Sequence, residues 1–495
     1  NKMVKNVKIL ILNLPSPPNM DVNRDYSGGY GTAHKVKRDY YGHSGNLVFP
    51  LFLPYVATTL KKAGYALSVL DGQAMKYTKN QVLSSIEKEN PEVIISMISL
   101  PSIYGDIDLL KKVKEATGAF LIGIGAVCKV MPEEILLKSN IDVVIRDNYP
   151  TYGQTLLNLV ENFERFKGDE DLDEIKGISY LRSSEVVNNS SANPVENLDD
   201  IDFSVYTLLP MDRYKLYFND LSGKDWNYFP ILSSKGCPFP CIYCPYPIGF
   251  GKKIIYKSVG KLIQEIEFLK DNFGFNAFLF RDQVFTMDQK RVEKICDEII
   301  QRGLDIKWLF ETRVDKISGN LLRKISKAGC NRIHYGVETG DPELLKIIGK
   351  PGVSREIVKK TIKTTKENNI LTMVHIIVGL PGETKKSLEN TYNFILDLDP
   401  DYASWNLITP YPGTKLFEMA KEKKLILTYD WSMYTADDLV MRTESLSGEE
   451  LLKAKEEMDR NFKIRKNLKI LGRSFYDKRS LEFLVRRVLF HIFPK

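Results

Sequence analysis

Apolar runs of strand length alternate with amphipathic runs of helix length along most of this chain, in two blocks of different period. In the first block "KILILNLP" (8–15) ends in prolines, as a buried parallel strand does, and "LPYVATTLKKAG" (53–64) reads as a helix stopped by Gly64. "ALSVLDG" (66–72), "EVIISMIS" (92–99), "FLIGIGA" (120–126) and "DVVIRD" (142–147) supply four more strands. Helical "NQVLSSIEKEN" (80–90) and "GDIDLLKKVKEA" (105–116) fall between them. The pattern predicts an α/β fold opening with a Rossmann-like, doubly wound parallel sheet over residues 1–165. Ligands of such sheets bind in the crevice at the carboxyl ends of the strands, here Pro15–Ser16, Asp71–Gly72, Ser96–Ser99 and Gly123–Ala126. Neither GxGxxG nor GxxxxGK[ST] is present, so no dinucleotide or P-loop nucleotide is expected. On topology alone the sheet reads as structural.

A linker with a hairpin (166–229) leads to the second block, which opens at Pro230. "ILSSKG" (231–236), "AFLFRDQ" (277–283), "IKWLFETRVD" (306–315), "RIHYGVETG" (332–340), "TMVHIIVGLPGE" (372–383) and "YASWNLITPYPGT" (402–414) read as strands separated by helices. Six such units predict a partial (β/α)6 TIM-type barrel over 230–425, with chemistry at the carboxyl ends of its strands. The unusual polar groups of this half lie at those ends: a cysteine loop, Asp282, Arg313, Glu338–Thr339, Gly379–Glu383 and Pro410–Thr414. A small helical region, 426–495, completes the chain.

The cysteine loop, "SSKGCPFPCIYCPYP", carries Cys237, Cys241 and Cys244, half of the six cysteines in 495 residues. Three thiolates can hold three irons of a [4Fe–4S] cluster and leave the fourth iron open to a ligand. Three unrelated thiols, or a zinc knuckle with a distant fourth ligand, are the alternatives. Cys128, Cys296 and Cys330 lie in apolar runs or in the other block, as packed free thiols do. This usage does not suit a secreted disulfide framework. No signal peptide or membrane-length apolar run is evident, so a reducing, cytoplasmic setting is expected. The formal charge of +7 comes without blocks of like charge, which argues against a nucleic-acid partner.

CxxxCxxC with Tyr243 before its last cysteine, on the first strand of a partial barrel, resembles the radical S-adenosylmethionine superfamily. "YGVETG", "GLPGET" and "TPYPGT" resemble that superfamily's later strand-end motifs. A Rossmann-like block before the barrel is similar to its cobalamin-dependent, class B type members. So are the linker "LDDIDFSVYTLLPMDRY" (198–214) and the tail "SFYDKRSLEFLVRRVLF" (474–490).

The resemblance implies that Cys237, Cys241 and Cys244 ligate a [4Fe–4S] cluster whose open iron chelates S-adenosylmethionine. It places Tyr243 on the adenine side, Glu338 at the ribose hydroxyls and Val378 and Gly379 along the adenine. Arg313 and Asp282 would meet the methionine carboxylate and amino group, with an ion pair inside the barrel as the alternative. Pro412 and Gly413 are expected to shape the last loop. Cobalamin would bind the first block without a protein histidine, since "DGQAMKY" carries Gln73 where one would be sought. Ser96, Gly123 and Gly125 are the candidates for lining its nucleotide tail, where close approach favours small residues. The long connection 28–46 reads as a lid.

The implied activity is C-methylation of an unactivated carbon through a 5′-deoxyadenosyl radical and methylcobalamin. The leading alternative is radical cyclisation or rearrangement of a lipid, tetrapyrrole or small molecule. A non-enzymatic iron–sulfur or corrinoid carrier would not need the ribose and adenine positions. Methylthiotransfer to RNA lacks its second cysteine trio. An external electron donor such as flavodoxin or ferredoxin is implied. "FLVRRVLFHIFPK" reads either as a helix packed on the barrel or as a peripheral contact with a membrane or lipid substrate.

Overall fold

The computed structural model describes residues 5–18, 20–35, 46–166, 172–193, 197–435 and 437–474. The first sheet contains β1 (Lys5–Asn13), β2 (Tyr65–Asp71), β3 (Val93–Met97), β4 (Phe120–Ile124), β5 (Val143–Ile145), β6 (Ile178–Arg182) and β7 (Glu185–Asn188). Their spatial order is β2-β1-β3-β4-β5-β6-β7, with the first five parallel and the last two antiparallel. Leu10, Ile11 and Leu12 are fully buried because helices cover both faces of the sheet, which is why β1 reads as an unbroken apolar run. Strand order reverses between β1 and β3, the place where sheets of this kind take a ligand; here the Arg24 side chain occupies those strand ends. The hairpin foreseen in the linker is β6–β7, which extends the edge of this sheet.

The second sheet begins with a short antiparallel strand, β8 (Tyr217–Asn219), beside β9 (Asp225–Ile231). Then follow β10 (Ala277–Phe280), β11 (Lys307–Arg313), β12 (Cys330–Glu338), β13 (Leu371–Val378) and β14 (Tyr402–Leu407). From β9 onward all six are parallel neighbours in chain order, which makes the partial barrel.

Its first strand is 225–231 and not the expected 231–236. Pro230 sits inside it because β8 pairs only with Asp225–Asn227, so the strand has lost its outer partner where the proline's N–H is missing. Ser234–Lys235 instead pairs antiparallel with Ile255–Tyr256, a clasp closing the cysteine loop at its base.

One apolar core joins the halves. Phe49, between β1 and β2 in sequence, meets Tyr214 at 4.9 Å and the barrel's Phe229 at 4.5 Å. The segment from Arg24 to Gly31 crosses from the first sheet to the barrel mouth. Arg24 donates to the strand-end carbonyls of Leu14 and Met97 at 3.2 and 3.3 Å, and to Asp106 at 2.7 and 3.0 Å. Tyr26 lies 3.9 Å under the Arg281 guanidinium, Ser27 Oγ is 3.0 Å from Tyr411 OH, and Tyr30 OH donates to Pro412 O at 2.7 Å. Of the connection 28–46 expected as a lid, Tyr30 is seated on the barrel through Pro412 O; 36–45 lie outside the described residues.

Beyond the barrel, the described residues of 426–447 hold one turn at Trp431–Met433 and an isolated bridge between Ile426 and Met441, and the helix Gly448–Ser474 follows. The tail proposed to meet a membrane lies outside the described residues from 475 on. Among the described residues no helix is long and apolar enough to cross a membrane.

Candidate active site

The cysteine loop leaves the end of β9 and is held at several points. Gly236 N–H donates to Gln283 at 2.7 Å, and Cys237 N–H donates to Gly251 O at 3.0 Å. Gly236 is at φ +97°, and a Cβ there would stand 2.0 Å from Lys253 O, so only glycine fits. Cys244 N–H donates to Cys241 O at 3.2 Å, and Ile242 N–H to Ile348 O at 3.2 Å, which ties the loop to the segment after β12.

Cys237, Cys241 and Cys244 line a single cavity at the carboxyl ends of the barrel strands. Tyr243, Arg313 and Glu338 line it too. Burial pushes all three thiols upward. Lys350 and Arg313 pull Cys241 back, and the neighbouring thiols raise Cys244 further. The Tyr243 hydroxyl is pushed well up by burial and then by the adjacent Glu338 carboxylate. Glu338 pairs with Lys350, both nearly sealed from solvent. Arg313 is held by Asp315 at 3.0 and 3.1 Å and stacks 4.1 Å from the Phe239 ring. Its Nη1 is buried without a partner.

These residues fit an iron–sulfur cluster and its ligand. Buried, protonated thiols are what a metal displaces, releasing protons on binding, and an orphaned guanidinium N–H in the wall suits a carboxylate. Among the described residues no three His, Cys, Asp or Glu side chains converge as ligands of one ion. In a [4Fe–4S] cubane each cysteine binds a different iron.

Three expected contacts are elsewhere. Asp282 does not enter the mouth. Alternation along β10 turns Arg281 inward and Asp282 away, fully buried, where it accepts from Ser233 N at 2.8 Å and from the hydroxyls of Ser233 and Ser234 at 2.6 and 2.5 Å. It braces the base of the cysteine loop. Val378 and Gly379 do not line the cavity either. The Val378 carbonyl accepts from Ile408 N–H at 2.9 Å, and Gly379 N–H is taken by the Glu383 carboxylate.

At the first sheet, Ser96 ends β3 with an Oγ that is buried and unpartnered, as are Asn13 Oδ1 and Asp25 Oδ1 nearby. These are unmet acceptors beside the Arg24 side chain. Gly123 and Gly125 face the chain instead: a Cβ on Gly123 would press on Val144 and Ile98 at 3.0 and 3.2 Å, and one on Gly125 would stand 2.8 Å from Ile98 O. Gln73 donates to Val22 O at 3.0 Å.

Lys350, Phe239, Glu311, His334 and His375 also line the cavity and were not foreseen. His334 could have been, because it stands two and four residues before Gly336 and Glu338 on the inward face of β12. Lys350 carries no such signal: it arrives after the short helix Pro342–Ile347.

Residues 231–395 match the Radical SAM superfamily. The chain is 29% identical over 442 residues to an uncharacterized methyltransferase of Pyrococcus horikoshii, covering 89% of this chain and 92% of that protein. It is 28% identical over 433 residues to the anaerobic magnesium-protoporphyrin IX monomethyl ester cyclase of Cereibacter sphaeroides, covering 85% and 68%. Its fold is similar to that of OxsB, a cobalamin-dependent S-adenosylmethionine radical enzyme solved with aqua-cobalamin and S-adenosylmethionine, with a TM-score of 0.70 and 16% identity over 98% of this chain and 72% of that one. The Radical SAM match takes in the cysteine loop and most of the partial barrel. The chain's arrangement, an open sheet set before a partial barrel, is similar to that of OxsB over nearly the whole chain.

Proposed function

We propose that this chain is a cobalamin-dependent radical S-adenosylmethionine C-methyltransferase acting on an unactivated carbon. One observation carries the reading: three thiols, Cys237 buried and Cys241 and Cys244 half-buried, share one cavity at the barrel mouth with the Glu338–Lys350 pair and an Arg313 that has a free N–H. In this reading residues 1–165 hold the corrin and 230–425 form the catalytic barrel. Cys237, Cys241 and Cys244 would hold the cluster, Arg313 the methionine carboxylate, Glu338 the ribose, and Tyr243 the adenine side. Ser96 would line the corrin's nucleotide tail, with no histidine beneath the ring.

When bound, the cluster supplies the electron that opens S-adenosylmethionine and the corrin supplies the methyl group. The chain's residues bind and orient. Asp315 and Phe239 fix Arg313 so that its remaining N–H points one way, which lowers the ordering cost of gripping a carboxylate. Lys350 holds the Glu338 carboxylate toward the mouth. The Arg24–Gly31 segment covers the mouth from the side of the first sheet and keeps water from it. An external one-electron donor such as flavodoxin or ferredoxin, and a cytoplasmic setting, go with this reading.

Radical cyclisation without methyl transfer is the second reading, favoured by the likeness to a cyclase across most of the chain. One anaerobic experiment tests the first: reconstitute with iron, sulfide and hydroxocobalamin, desalt, and record the absorbance and the bound corrin. Retained base-off corrin beside a sulfide-to-iron charge-transfer band supports methyl transfer. A cluster with no corrin overturns it and leaves cyclisation.

A further inference from the structure

Three neighbouring barrel strands turn a titratable side chain into the cavity: Glu311 from β11, His334 from β12 and His375 from β13, with Glu311 and His334 register partners. The two imidazoles meet edge to face, centroids 5.6 Å apart and planes at 66°. Barrel interiors are ordinarily filled by branched apolar residues. One step deeper the barrel follows the rule at Leu279 and Leu309, packed on Tyr228, and departs from it at the buried Arg332, the register partner of Leu309. The layer above them is polar on all three strands.

Three ion pairs border that layer, Arg281 with Glu311 at 3.0 Å, Arg313 with Asp315 and Lys350 with Glu338, while Arg332 is turned to Asn219, donating to its O and Oδ1 at 2.7 Å. At the two imidazoles what is left over is hydrogen-bonding capacity. His334 is 6% exposed, and its Nε2 has no partner. A buried polar atom left so is costly unless a ligand or water completes it. Burial, and then His375 and Arg332, hold its pKa well below the ordinary imidazole value, so the ring is neutral and can give or take a hydrogen bond.

We propose that His334 and His375 form the anchoring subsite for the substrate, and that it takes an uncharged hydrogen-bonding group of a small molecule (a hydroxyl, amide or ring N–H) rather than a hydrocarbon chain. The inference rests on the cavity being the mouth of a radical barrel and adds the class of substrate to that reading. Lipid tails would bury themselves at the cost of both imidazoles.

Saturation-transfer NMR on the full chain, loaded anaerobically with cluster and S-adenosylmethionine, tests it with erythritol and malonamide as polar probes and n-pentanol as an apolar one. The expected result is binding of a polar probe, weakened about tenfold in His334→Phe and His375→Phe and held within about threefold in His334→Gln and His375→Asn. Binding of n-pentanol alone, or polar binding indifferent to the phenylalanines, overturns the proposal. A loaded wild-type chain that ignores every polar probe sinks this inference by itself. One that takes up neither cluster nor S-adenosylmethionine sinks the radical-barrel reading as well.

Discussion

Lys350 Nζ donates to the Glu338 carboxylate with the two side chains only 6% and 8% exposed. Glu338 reaches that position by an uncommon backbone: it stands at φ +65°, where the register of β12 against β13 slips after Gly336. A left-handed glutamate costs roughly 1–2 kcal/mol. A Cβ on Gly336 would stand 2.5 Å from Glu338 Oε1, so the neighbouring glycine is what makes room for the turn. Strain, a bulge and a buried lysine thus converge on the residue proposed to meet the ribose.

The first prediction concerns this pair. Lys350→Met leaves a buried carboxylate uncompensated and should lower stability by about 3 kcal/mol in urea unfolding. Combining it with Glu338→Gln should recover more than half of that loss. A double variant as unstable as the sum of the singles would show that the two side chains do not interact.

The cysteines divide into two sets. Alanine at Cys237, Cys241 or Cys244 should each abolish the iron–sulfur absorption and the bound iron after reconstitution. Alanine at Cys128, Cys296 or Cys330, all buried in apolar surroundings, should leave both intact and cost only packing stability. Loss of iron in one of the latter three would reassign the ligand set.

How far the chain could be read depended on the kind of signal. Buried parallel strands were legible because Leu10–Leu12 and Val93–Ile95 face apolar layers on both sides. The first barrel strand was misplaced because Pro230 reads as a boundary, and only the shortness of β8 makes it tolerable inside. The cysteine loop, Arg313 and Glu338 were found from their place at strand ends. That rule says where a residue sits, not which way it turns, so Asp282 and Val378 were assigned to a mouth they do not face. Lys350 comes from a connection whose path only the folded chain defines. His334 had a period-two signal, outweighed by the louder motif two residues on.

Asp282 supplies a prediction that separates a brace from a ligand. It accepts three hydrogen bonds at the base of the cysteine loop, and Arg291 joins the same group through Ser233 Oγ at 3.2 Å. Asp282→Ala should cost ~2 kcal/mol through the donors left unpaired. The cluster should be lost at lower urea than in the wild type. In protein that remains folded, the dissociation constant for S-adenosylmethionine should not change, and a selective loss of that affinity would restore the ligand role.

Glu383 should make stability depend on pH. Burial pushes its carboxyl up to about 8, against the backbone N–H groups of Gly379 and Leu380 that favour the charged form. The folded chain therefore holds this proton more tightly than the unfolded chain, whose carboxyl titrates near 4.5. Its contribution is fully present below about pH 4.5 and is lost as pH rises through about 8. The melting temperature of the wild type should fall between pH 5 and 9 more steeply than that of Glu383→Gln, which keeps an acceptor for both N–H groups at every pH. Because those N–H groups shape the turn after β13, the loop's protection from hydrogen exchange should fade over the same range in the wild type alone. Parallel melting profiles would mean that Glu383 stays charged and that its two N–H donors outweigh the burial.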